Sequence, residues 1–347
     1  MVEIRQISLP HGITLSCRLS GQPGRPVLMF LHGFPEAAFV WDALMQHFAR
    51  PENGGYFCIA PNLRGFEQSS APADTADYRP KHLMQDIAAL VAAVCGPEGS
   101  EDGQGSLAAS RGGGAGLAKP QAQRPLGGQR GTRSDEREGN LECLIAHDWG
   151  GAIAWNLAAA MPELMKKLAI INSPHPGTFL RELQQSPSQQ AASAYMNFLI
   201  RPDAEALLAA DDFRRLWQFL TNGGQGQPSW LTDSVKEQYR AVWRAGLTGG
   251  CNLYRASPLR PPRPGPPHND PAAAGVTLAR ERLTVLLPTL VVWALDDIAL
   301  PPALIDGLAD YVPAMQLETV SGASHWIVHE QPERVIAYLQ GFLGQPD

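Results

Sequence analysis

The octet LIAHDWGG (residues 144–151) puts a carboxylate, Asp148, at the end of an apolar run and just before a glycine pair. Burying a charge there is costly unless the protein uses it. Ala146, Asp148 and Gly150 follow a small-x-nucleophile-x-small pattern, which suits a sharp strand-to-helix turn that lifts its central side chain above a sheet. An ordinary aspartate is already anionic at neutral pH, unlike the serine more familiar at such a turn. A carboxylate attacking a carbonyl yields only a reactive anhydride. Attack on a saturated carbon that carries a leaving group yields a stable alkyl ester. The expected substrate is therefore an alkylating electrophile, an epoxide or an alkyl halide. The plainer alternative is that Asp148 merely caps the following helix.

Hydrolysing such an ester requires a base, an acid to orient it, and two donors for the oxyanion. His325, in SGASHWIVHE after the last strand-like run, stands where the chain order nucleophile, acid, histidine puts the base. The acid should follow TLVVWAL, where Asp296 and Asp297 are adjacent; Asp297, farther into the loop, is preferred. The donors expected are the backbone amides of Trp149 and of Phe34, the latter in His32-Gly33-Phe34-Pro35, where Pro35 has no N–H to offer. His32 and His329 read as structural; Glu36, after the HGFP turn, could face the active site, but a solvent-facing or helix-starting acid is the preferred reading. Asn172 ends a strand and supplies no charge. No His/Asp cluster has metal-ligand spacing, and neither metal nor cofactor is expected.

These residues need a scaffold. Strand-like runs (VLMFLHG, YFCIAPNLRG, LECLIAH, KLAIINS, TLVVWAL, MQLETVSG) alternate with helical patterns, among them AAFVWDALMQHFA, HLMQDIAALVAAV, PPALIDGLADYV and PERVIAYLQGFL. Such alternation implies a mostly parallel sheet covered on both faces, preceded by a paired VEIRQISL and ITLSCRL. From residue 177 the helical patterns run without intervening strands, which reads as a helical cap inserted into the sheet. The expected division is a first core part over 1–176, cap and proline-rich linker over 177–285, and a second core part over 286–347. The Gly-rich stretch 96–140 reads as a disordered surface insertion.

Composition narrows the class. The 347 residues carry a net charge of -6, with 18% charged side chains, which argues against a nucleic-acid surface. Five scattered cysteines without a CxxC pair fit free thiols in a reducing, cytoplasmic setting. Neither a leader segment nor the ~18-residue apolar run of a membrane span is expected. A homodimer is compatible with the sequence.

HGFPE (32–36), NLRG (62–65), HDWGG (147–151) and GASHW (322–326) together resemble the α/β-hydrolase family in its Asp-nucleophile branch. The resemblance spans nearly the whole chain except 96–140, and within that branch it is nearer to epoxide hydrolases than to haloalkane dehalogenases. It implies a cofactor-independent enzyme taking an epoxide and water, with two cap tyrosines on the ring oxygen: Tyr195 in AYMNFLIRP and Tyr254 in NLYRASP. Trp149, Phe34 and Trp326 are expected to line an apolar pocket. A dehalogenase would use Trp149 and a second N–H donor, with Trp217, Trp230 and Trp243 as candidates. A hydrolase-like protein that binds small molecules without turnover is the third reading.

Overall fold

The computed structural model describes residues 1–96, 140–223, 226–263 and 275–345. The expected insertion over 96–140 and most of the proline-rich stretch 258–271 lie outside the described residues. Eight strands form one sheet: β1 (Glu3–Ser8), β2 (Thr14–Ser20), β3 (Val27–Leu31), β4 (Phe57–Pro61), β5 (Leu141–His147), β6 (Met165–Ile171), β7 (Thr289–Ala294) and β8 (Met315–Val320), in the order β1-β2-β4-β3-β5-β6-β7-β8. β1 pairs antiparallel with β2, and β2 antiparallel with β4; every other pairing is parallel. β3 and β7 are buried along their whole length, as unbroken Val/Leu/Phe runs require when helices cover both faces. β1, polar and exposed, closes one edge.

The helices that cover this sheet are α1 (Asp42–Phe48), α2 (Pro80–Cys95), α3 (Asp148–Ala160) and, after further elements, the last one in the chain. Between β6 and β7 the described chain is helical and strandless: α4 (Pro176–Gln185), α5 (Pro187–Ala192), α6 (Tyr195–Leu199), α7 (Ala204–Leu220), α8 (Asp233–Ala245) and α9 (Thr248–Ala256). A kink interrupts α7, where Asp211, Asp212 and Phe213 have positive φ. A short α10 (Ile327–Glu330) and α11 (Pro332–Leu343) end the chain. The parallel sheet read from the sequence is present; two helical expectations are not met in full. AAFVWDALMQHFA starts as a 3-10 turn over Ala38–Trp41 before α1 begins. PPALIDGLADYV forms only two 3-10 turns, because Asp306 is extended and Gly307 is left-handed, which breaks the run of helical torsions.

Three elements converge where β5 ends. β5 is central, between β3 and β6, so the loops after β3 and β6 flank the turn into α3. That turn admits only small neighbours. A Cβ on Gly150 would overlap the carbonyls of Leu31 and His32, and one on Gly33 would overlap the Asp148 side chain. Gly150→Ala should therefore cost about 1–3 kcal/mol, as overpacking does, read as a lower urea midpoint; an unchanged midpoint would contradict this close approach.

Candidate active site

Asp148 has φ +49°, a left-handed backbone that costs a side-chain-bearing residue about 1–2 kcal/mol. Neighbouring groups hold it there. Ser173, after β6, donates its hydroxyl to the Asp148 carbonyl at 2.6 Å. The Phe34 N–H donates to Asp148 Oδ1 at 2.7 Å, so one carboxylate oxygen already occupies a donor site. The other, Oδ2, lies 3.7 Å from His325 Nε2. Trp149 is the second residue of α3, so its N–H is one of the first-turn donors with no acceptor within the helix.

His325 Nδ1–H donates to Asp297 Oδ2 at 2.7 Å; a carboxylate can only accept, which leaves Nε2 to face Asp148. Asp297 is fully enclosed, and its oxygens also accept from the amides of Ala299 and Leu300 and from Asn172 Nδ2, each at 2.9 Å. Burial pushes its pKa up, but the His325 charge and these donors hold the carboxyl below its ordinary value. Asp296 points elsewhere and accepts from the Gly322 amide. Burial lowers the pKa of His325, yet Asp297, then Asp148 and Glu36, outweigh it and bring it to about 9.

Tyr195 and Tyr254 bring the helical segment to the same point. Tyr254 packs edge-on against Trp149, Phe34 and Tyr195, with ring centroids 5.0, 5.6 and 6.0 Å apart. Burial, reinforced by the negative charge of Asp148, raises both phenol pKa values, so each hydroxyl keeps its proton. A cavity of about 770 Å³ is lined by Phe34, Asp148, Tyr195, Tyr254, His325 and Trp326, among others. Trp149 instead lines a second, smaller cavity that Asp148 also borders.

Several residues differ from their sequence reading. Glu36 is neither solvent-facing nor the start of a helix: it is 1% exposed and accepts from Tyr239 Oη and His329 Nε2, each at 2.9 Å, and contacts His147 Nδ1 at 3.2 Å. His147 Nε2 in turn donates to the His325 carbonyl at 3.0 Å. A charge this deep survives because burial, which raises the Glu36 pKa, is outweighed by His147 and His329, which hold it well below the usual range. Asn172 supplies no charge, yet it grips Asp297 and accepts from the Ala294 amide. The only sequence signal for these roles is position, directly after the His32–Pro35 turn and directly after β6. His32 braces its loop, accepting from the Leu63 amide. The indole N–H groups of Trp217 and Trp243 go to the carbonyls of Asp212 and Pro35, and Trp230 stacks on His329. None of these three tryptophans lines either cavity that holds Asp148. Among the described residues no cluster could hold a metal ion, and no helix is long and apolar enough to cross a membrane.

The family model described as the alpha/beta hydrolase family matches residues 28–338. The chain belongs to the alpha/beta hydrolase family. Within it, this hydrolase is 28% identical over 337 residues to the AB hydrolase superfamily protein YfhM of Bacillus subtilis, covering 95% of this chain and 96% of the relative. It is 27% identical to epoxide hydrolase 3 of Xenopus tropicalis, over 96% of this chain and 75% of that one. A solved structure of epoxide hydrolases from metagenomes of hot environments matches with TM-score 0.76 and 30% identity, covering both chains in full. The epoxide hydrolase of Bacillus megaterium, at TM-score 0.76, 24% identity and 98% and 100% coverage, shares the fold.

Two measurements follow from this electrostatic arrangement. Asp297→Asn removes the first charge that raises His325, so the imidazole titration, read by NMR, should drop from about 9 by at least ~1 unit. A curve that stays in place would contradict the pairing. Glu36→Gln leaves His147 and His329 without their anionic acceptor and should lower the unfolding free energy by about 3 kcal/mol. Because the folded-state pKa of Glu36 is depressed, the wild-type advantage is present above the ordinary carboxyl pKa and fades as pH falls; equal stability at pH 7 would contradict it.

Proposed function

We propose that the protein is an epoxide hydrolase working through a covalent ester on Asp148. The observation that carries the reading is the convergence of Asp148 with two protonated phenols, Tyr195 and Tyr254, on one cavity. An epoxide opens to an alkoxide, which leaves poorly without a proton; a halide needs only N–H donors, and although Trp149 borders Asp148, the candidates for a dehalogenase's second donor, Trp217, Trp230 and Trp243, line neither cavity. The named epoxide hydrolases among the relatives point the same way.

Asp148 Oδ2 attacks a ring carbon, the carbon–oxygen bond breaks, and a tyrosine hydroxyl passes its proton to the oxygen, leaving a tyrosinate. Oδ1 becomes the ester carbonyl oxygen, already beside the Phe34 amide. Esterification cancels the Asp148 charge, one of the contributions that raise His325, so the neutral imidazole, the form that can accept a proton, is favoured at the stage that needs it. It takes a proton from water, whose hydroxide adds to the ester carbonyl. The Phe34 and Trp149 amides hold the oxyanion. Collapse releases the vicinal diol and restores the carboxylate. The proton left over returns to the tyrosinate. Asp297 orients the imidazole and stabilises its charged form. No cofactor takes part. The helices α4 to α9 act as the cap that carries both tyrosines and shields the ester from bulk water.

His325→Gln should stop the cycle at the ester, and intact-mass spectra after exposure to an epoxide should show Asp148 carrying the full mass of the substrate. No adduct from any epoxide would contradict the reading; an adduct from bromoalkanes alone would favour the dehalogenase. Tyr195→Phe with Tyr254→Phe should reduce kcat/KM for epoxides at least ~100-fold, and full activity in that double variant would remove the tyrosines from the reaction.

A further inference from the structure

Asp148, Tyr195 and Tyr254 line not one cavity but two. The larger, about 770 Å³, runs past Phe198, Phe219 and Trp326 to the exposed side chains of Arg215 and Gln218. The smaller, about 170 Å³, lies against Ala152, Ile153, Phe179, Met196 and Leu259. His325 and Asp297 face only the larger one. The atoms that would hold an oxirane therefore sit at a junction, with apolar space on both sides and the water-activating pair on the roomier side.

The geometry points to an internal, 1,2-disubstituted epoxide as the substrate class, with one short alkyl substituent in the smaller arm and a long one in the larger. This rests on the epoxide-hydrolase reading above. A terminal epoxide carries nothing for the smaller arm, so its apolar wall stays wet. Each methylene buried there is worth about fourfold in kcat/KM, provided it fits. At roughly 30 Å³ per water-sized group, the arm takes about four to six carbons. Longer substituents overfill the smaller arm and have to share the larger one, which also has to admit water.

Three positional isomers of epoxyoctadecane test this at constant formula and hydrophobicity: trans epoxides flanked by propyl and tridecyl chains, by two octyl chains, and a terminal epoxide with a hexadecyl chain. The propyl/tridecyl isomer should exceed each of the others at least ~10-fold in kcat/KM, a margin consistent with three buried methylenes. Ala152→Leu, which fills the smaller arm, should lower the ratio of internal to terminal turnover by a similar factor; Leu259→Phe, which lines the same arm from outside α3, should do the same without touching the turn after Asp148. Equal turnover of the three isomers, or preference for the terminal or dioctyl compound, overturns the inference while leaving epoxide hydrolysis intact. Absence of turnover with all three, and with small epoxides, instead sinks the reading on which it rests.

Discussion

The structure depends on keeping one carboxylate at the tip of a buried central strand. Asp148 takes a left-handed backbone, an arrangement that costs free energy and persists only where its surroundings over-determine it. Here they do so from three directions. The loop after β3 supplies the Phe34 amide, the loop after β6 supplies the Ser173 hydroxyl, and Gly33 and Gly150 leave room where any Cβ would collide. Those loops are adjacent because β5 lies between β3 and β6. The sheet order is thus what makes the turn possible, and a conformation strained in isolation becomes the only one that packs.

Around this turn the molecule keeps two layers of buried charge. Asp297 and His325 form the first; Asn172 and two backbone amides satisfy the remaining valences of the acid. Glu36, His147, His329 and Tyr239 form the second, joined to the first where His147 meets the His325 carbonyl. Buried charges are tolerated when paired and hydrogen-bonded throughout, and both layers meet that condition. Tyr239 lies on α8, and Trp243 on the same helix donates to the Pro35 carbonyl. The second layer therefore also fastens the helical segment to the loop that carries the Phe34 donor.

Much of this was legible in the residues. Continuous apolar runs identified the parallel strands, and small residues around Asp148 identified the turn, because both signals are local and steric. Chain order separated His325 from other loop histidines, and position in the loop separated Asp297 from Asp296. What escaped the sequence depends on contacts between distant segments. Glu36 looks like a surface acid because its three partners come from the end of β5, from α8 and from α10. Asn172 looks inert because its role is to hold another side chain. The two short turns at 302–310 replace a helix because the left-handed Gly307 outweighs helical spacing. The division of the pocket into unequal arms has no counterpart in any single stretch of sequence.

The central claim is that Asp148 attacks carbon and that water then attacks Asp148. A single turnover of an epoxide in ¹⁸O-labelled water, with enzyme in excess, tests this directly. The account predicts that the first diol released carries no label and that a peptide containing Asp148 gains one heavy oxygen. A labelled diol with an unlabelled Asp148 would mean that water opens the ring itself, and the account would fail.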